Sequence, residues 1–339
     1  MDNWTENIPL PDDSELKKIR KNLRTRNWKI VTMSLLLAVA ILLVSVCGVV
    51  PVVEKWYWGP YDSQWNTGSD LQLTIKAYTE LFQPGFSVQM IAGKSGFASY
   101  ILHINRTDDA TGEKEYVSGT LDKGTLSLDY AYFDRPQAVH QLYADYSQDV
   151  SDMEEPFDIR DMWTEDAVSV ISQLPEYVQL KAVVFFPEDL TMEEFQQILF
   201  QYNYDGRNGV SILWSAVRVE GENMALPPIG FSTHSYNGYE LNETYPEFFM
   251  EHFEEDGSHM AQHFKSLLRY SADQAETGRG ISKRSGNQEY TRYVLDYVEE
   301  HGVLTYACLV SATPQGLQSL LDSGIASHIS LLDGWIDVG

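Results

Sequence analysis

Three groups of residues in this 339-residue chain have types and spacings that chemistry could use. His252, His259 and His263 lie near Glu251, Glu254, Glu255 and Asp256. His259 and His263 are one helical turn apart, a spacing that can hold a divalent metal. The run His259-Met-Ala-Gln-His263 lacks the glutamate that the zinc-protease pattern places after its first histidine, so a solvated acidic helix face is the expectation. Gly93-Lys94-Ser95 looks like the end of a phosphate-binding loop, but Val88 stands where that pattern requires glycine, which leaves a turn ahead of a strand at Phe97. Asp152, Glu154, Glu155 and Asp158 form an acidic run that reads as a solvated linker, with weak divalent cation binding as the sharper alternative. No Ser/His/Asp constellation is spaced for nucleophilic catalysis. No catalytic, cofactor-binding or metal residue is therefore assigned, and the expectation is a protein that is not an enzyme and carries no cofactor.

Composition narrows the partners. Apolar residues make up 43% of the chain and charged residues 22%, too apolar for disorder and enough for one or two cores. A formal net charge of −25 repels phosphate backbones, so nucleic acid is not an expected partner. Two cysteines, Cys47 and Cys308, supply neither a disulfide framework nor a Cys-rich zinc domain.

The elements that would position any site begin with a membrane span. From Ile30 to Val53 there are 24 residues without an ionisable side chain. As a helix they reach about 36 Å, enough to cross a hydrocarbon layer of about 30 Å. Trp28 before the run and Trp56, Tyr57 and Trp58 after it fit interfacial belts, and Pro51 falls near the outer end, where a helix break costs least. The run exceeds a signal-peptide apolar region and no small-x-small cleavage site follows, so an uncleaved anchor is expected.

Basic residues set the direction. Lys17, Lys18, Arg20, Lys21, Arg24, Arg26 and Lys29 precede the span, and only Lys55 closely follows it. The positive-inside rule then places the N-terminus in the cytoplasm and the body outside the cell membrane. The tail, residues 1–29, holds seven bases and five acids for a net +2; the 17 bases and 44 acids after the span leave the body at −27. Leu16, Ile19 and Leu23 recur at near-helical spacing beside Lys17, Arg20 and Arg24, giving a short basic amphipathic helix that could order on a partner. The same collar also sets topology and touches anionic lipid without any protein partner.

Beyond the span the pattern is α+β. Residues 70–83 predict a short helix stopped by Pro84-Gly85. Strands are predicted over Phe86–Ile91, Ala98–Ile104, Glu115–Thr120 and Thr125–Tyr132, forming an antiparallel sheet with one covering helix. The acidic stretch Gln148–Phe157, with Pro156, suits a linker between residues 54–150 and residues 160–339. After an amphipathic helix near Asp161–Leu174, a strand–helix–strand pattern occurs twice. Val178–Phe186, Leu190–Phe200 and Val210–Val219 form the first; Val303–Ser311, Thr313–Leu321 and Ile325–Leu332 form the second. Thr191 with Glu194 has capping-box spacing, and Pro314 sits in a first turn. Two such units suggest a ferredoxin-like β-α-β-β-α-β sheet, interrupted by a largely helical insertion over Glu243–Glu300.

Several of these stretches resemble bacterial sigma-factor regulators. The run from Leu174 to Leu199, with its Thr191-Met-Glu-Glu194 helix start, is similar to the opening of the C-terminal domain of that Gram-positive anti-sigma family. Ser211-Ile-Leu-Trp214, Pro228-Ile-Gly-Phe231, Gly302-Val-Leu-Thr-Tyr306 and Thr313-Pro-Gln-Gly-Leu317 resemble its later landmarks. The basic collar, the span and Ala77-Tyr-Thr-Glu-Leu81 with Pro84-Gly85 are similar to the N-terminal module found with it. The resemblance implies a single-pass membrane regulator of an extracytoplasmic-function sigma factor, its outer domains sensing or holding a state. A tail of 29 residues cannot build its own core, which departs from a folded sigma-sequestering domain. Partner contact then falls to Leu16, Lys17, Ile19, Arg20, Leu23 and Arg24, with a sigma factor or a second membrane protein as the surface they order on. The alternative is an extracytoplasmic binding or scaffold module on a passive anchor.

Overall fold

The computed structural model describes residues 12–60, 70–133, 136–144, 159–204, 209–221, 226–233, 244–250, 256–277, 281 and 287–336. Two compact units are present, Met1–Tyr57 and Trp58–Gly339. The first is a helix running from Asp13 to Glu54, long and apolar enough to cross a membrane. Its main segment is α1 (Asp13–Val44), and it resumes as α2 (Val50–Glu54). Between them, Ser45–Val49 adopts π-helical spacing. Pro51 has no N–H to donate and its ring crowds the carbonyl four residues back, so the helix widens ahead of it instead of breaking. The apolar side chains along this helix are exposed, among them Leu36, Leu42 and Val46.

In the second unit, α3 (Asp70–Phe82) precedes a meander of β1 (Phe86–Gly96), β2 (Ser99–Asp108), β3 (Lys114–Asp122) and β4 (Thr125–Leu128), antiparallel throughout. The in-facing residues meet in register, Met90 opposite Ile104 and Ile104 opposite Val117. Gly93, Lys94 and Ser95 belong to the end of β1, not to a loop that could wrap a phosphate. The α3–β1 turn needs Gly85, whose φ is +74° and whose Cβ would sit 2.5 Å from a Leu309 methyl.

Helix α3 is more than a lid on this sheet. Of its 13 residues, 11 are buried, including Asp70, Thr74, Thr79 and Glu80. Sheet residues cover one side and C-terminal elements the other. Thr74 and Thr79 satisfy their hydroxyls on the carbonyls of Asp70 and Ile75, which lets polar residues enter the interior of a helix.

The C-terminal sheet contains β5 (Val178–Thr191), β6 (Val210–Val217), β7 (Gly230–Ser232), β8 (Leu304–Ala312) and β9 (His328–Ile336). Its order is β7-β6-β8-β5-β9 and every neighbouring pair is antiparallel. Both strand–helix–strand patterns are present, through α6 (Met192–Leu199) and, further along, a helix over Pro314–Asp322. The strands that α6 joins are parallel in direction but are not neighbours, because β8 lies between β5 and β6. The long apolar run of β5 follows from burial on both faces. Ala182, Val184 and Phe186 enter one cluster, while Val183 and Phe185 join Trp214, Tyr306 and Leu309 in another, under α4 (Gln137–Ala144). Helix α5 (Ile159–Ile171) packs along β9.

Between β7 and β8 lie α7 (Gly257–Glu276) and α8 (Gln288–His301), within the stretch expected to be helical; the Pro314–Asp322 helix is α9. The linker expected over residues 148–157 falls outside the described residues, and the sheets on either side of it fold into the same compact unit.

Candidate functional site

The polar centre of the body is built by α3 and α7. Helix periodicity puts Lys76 and Glu80 on one face of α3, four residues apart, and Lys76 Nζ lies 2.5 Å from Glu80 Oε2. The other carboxylate oxygen, Oε1, is 2.7 Å from His263 Nε2 on α7. His263 is fully buried, and its Nδ1 lies 2.8 Å from the carbonyl oxygen of Glu247. A third element closes the group: the Trp214 indole N–H of β6 donates to the Glu80 backbone carbonyl at 2.7 Å.

The surroundings of Glu80 fix its charge. Burial raises the Glu80 carboxyl, but the charges and hydrogen bonds of Lys76 and His263 outweigh it and bring the group down from 4.5 to about 2. Glu80 is therefore an ionised acceptor. The Glu247 carbonyl also only accepts. Both His263 nitrogens then face acceptors, Glu80 Oε1 and the Glu247 carbonyl. Lys76 and His263 share one carboxylate.

Beside this group a cleft of about 320 Å³ opens between α3 and β1, with Lys76, Thr79, Glu80, Val88, Thr107 and Phe249 in its lining. Lys76 Nζ lies 5.6 Å from the Phe249 ring centroid. On the neighbouring wall, Arg106 and Lys181 stand 4.7 and 5.0 Å from the Phe86 ring. Lys181 pairs with Asp108 at 2.6 Å, and Arg106 pairs with Glu115.

These placements revise the histidine reading. His263 does not lie on a solvated acidic face; it is at the centre of the body, held there by Glu80, 183 residues earlier in the chain. His259 is at the margin, with Nδ1 3.1 Å from Glu247 Oε1. Asp256 caps α7, accepting from the Ser258 backbone N–H at 2.8 Å. His252, Glu251, Glu254 and Glu255 fall outside the described residues, as do Asp152, Glu154, Glu155 and Asp158. Among the described residues no three metal-ligating side chains converge. Cys308 is buried in β8, where burial pushes its thiol up and keeps it unreactive; Cys47 is exposed on the apolar helix.

The expected partner-binding residues all lie on α1. Leu16, Ile19 and Leu23 are 40%, 48% and 49% exposed and fall within about 60° of one another around the helix. Lys17, Arg20 and Arg24 flank that stripe, and the same helix continues without interruption into the apolar segment. The Glu80–His263 pair escaped sequence reading. The signal that pointed to it was Lys76 with Glu80 at i,i+4 inside an otherwise apolar helix pattern; nothing local named the histidine.

Residues 171–328 match a protein-family model described as the sigma factor regulator C-terminal domain. The match runs from the end of α5 to the start of β9 and includes His263 and Trp214. It supports a place for this region among sigma-factor regulators. No curated protein and no solved structure matches the chain.

Proposed function

We propose, on the sigma-regulator match over residues 171–328, that this chain is a single-pass membrane regulator of the anti-sigma type that controls an extracytoplasmic-function sigma factor in a Gram-positive bacterium. Its N-terminus is cytoplasmic, and the body from residue 54 onward lies outside the membrane. Seven basic residues before the apolar segment support that direction. Residues 54–150 form a module resembling the family's N-terminal region, and residues 160–339 form the C-terminal module. The order β6-β8-β5-β9, with crossovers through α6 and α9, supports a ferredoxin-like reading of the latter. The protein is not an enzyme in this reading. It regulates through Leu16, Lys17, Ile19, Arg20, Leu23 and Arg24, which order on the sigma factor as an exposed amphipathic helix end.

The family match carries this proposal, and a capture experiment tests it. The full chain, crosslinked in its native membrane, is expected to recover a sigma factor, and Lys17→Glu/Arg20→Glu/Arg24→Glu is expected to lose it. Unchanged regulation after replacing residues 1–53 with an unrelated anchor would instead assign the chain to the passive-anchor class.

A further inference from the structure

The outer edge of the C-terminal sheet borders an apolar groove, and we propose that this edge takes an extended basic and apolar segment of a partner protein as a further strand beside β9. This goes beyond the sigma-regulator reading and stands on the end of the sheet alone. β9 is the last strand in the order β7-β6-β8-β5-β9, so one of its edges meets no other strand among the described residues. Beside it opens a groove of about 420 Å³, with Val170, Leu174, Val178, Leu180, Leu331 and Ile336 in its lining. That size lies within the range of specific pockets.

Backbone geometry selects a strand. The Ile329 N–H donates to Thr164 Oγ1 on α5, so at Ile329 the backbone of β9 turns away from β5. Strand alternation carries Leu331 the same way. A bulge at Leu332 then shifts the register. Beyond it, the Gly334 N–H turns to Asp333 Oδ1 at 2.7 Å, and Ile336 follows Gly334 by the same alternation. Leu331 and Ile336 therefore present N–H and C=O groups along an edge that a second backbone can pair with.

The groove selects the side chains of that strand. Val178 lies opposite Ile336 and Leu180 opposite Gly334, which puts them on one face of the sheet with Leu331. Gly334 keeps the floor low, since a Cβ there would sit 2.9 Å from a Leu180 methyl. Val170 and Ile336, 44% and 59% exposed, form the rim. Alternate side chains of an added strand fall on this face, and apolar ones fill it. Charge decides whose strand it is. Residues 159–178 and β9 carry Asp161, Glu165, Asp166, Glu176 and Asp333, with Arg160 as their only lysine or arginine. A second copy of this chain would bring the same acids to the same place. Lysine or arginine at the solvent-side positions of an incoming strand complements them instead.

The test uses the full chain in lipid nanodiscs and a decapeptide of alternating valine and lysine, read by hydrogen exchange over the C-terminal half of β9. The peptide is expected to slow exchange there by at least about tenfold. Replacing its valines with glycine keeps the charge but should weaken binding at least about tenfold, the step that burying a single valine supplies. Replacing its lysines with glutamate should abolish binding. Val170→Asp, on the exposed rim, makes the body more acidic yet should weaken the valine–lysine peptide about tenfold, which attraction to an acidic surface alone would not do. Equal binding of the valine–lysine and glycine–lysine peptides would overturn the proposal, and so would no binding or protection that leaves β9 unmoved. Slow exchange of β9 without peptide, lost on dilution, would place a second copy on the edge and overturn it too. The peptide comparisons use the wild-type chain, so they decide the matter even if Val170→Asp does not fold.

Discussion

Replacing Glu80 with glutamine tests the account of the buried cluster most directly. Glu80→Gln keeps the shape and one acceptor but leaves Lys76 and His263 without their shared negative charge. Removing one partner from a buried ion pair costs about 3–5 kcal/mol. An independent route gives the same size: bringing the carboxyl from 4.5 down to about 2 is worth about 3 kcal/mol at neutral pH. Because the folded-state value is depressed, this stabilisation is complete above pH 4.5 and disappears as pH falls through 2. At pH 3 about 1.4 kcal/mol of it should survive. The assay is urea unfolding of the full chain in detergent micelles at pH 7, 4.5 and 3, wild type against Glu80→Gln. The gap should be about 3 kcal/mol at pH 7 and less than half of that at pH 3. A gap that stays constant across this range would refute the electrostatic argument, and so would one below about 1 kcal/mol at pH 7. Replacing the whole group, Lys76→Met/Glu80→Leu/His263→Leu, should recover most of the loss, since no uncompensated charge then remains buried.

Two further perturbations probe the frame around this cluster. Thr191→Ala removes the hydroxyl that caps α6 and also donates to Glu194 at 2.9 Å; unfolding should cost about 1 kcal/mol less, and an NMR titration should find the Glu194 carboxyl moved up from its depressed position. Gly230→Ala would put a Cβ 1.9 Å from the Ser215 carbonyl oxygen and 2.5 Å from the Trp214 ring; a loss of at least about 3 kcal/mol is expected, read as faster proteolysis near β7 and a weaker Trp214 signal in near-UV circular dichroism.

Much of the architecture was legible in the chain because its causes are local. The capping box at Thr191 and Glu194 forms as its spacing requires. Helix α3 ends at Phe82, just before the Pro84-Gly85 stop, and the strands of the first sheet fall where β-branched and aromatic residues alternate. Sheet order was not legible. That β8 inserts between β5 and β6 depends on pairing strands separated by 112 residues (β5 to β8) and 86 residues (β6 to β8), which no local period encodes.

The site divides along the same line. Leu16, Ile19 and Leu23 could be placed on one helix stripe from their spacing, because helical geometry alone decides it. His263 was misread as a surface residue because acids surround it in sequence, and its neighbours in space are different ones. Sequence by itself determined the apolar helix, the basic collar beside it, the sign of the body's charge and the amphipathic elements, all of which follow from composition and short-range period. Only the tertiary structure decided that Lys76, Glu80 and His263 meet, and that a cleft opens beside them. Those properties depend on distances and desolvation between residues far apart in the chain, and such quantities exist only once it has folded.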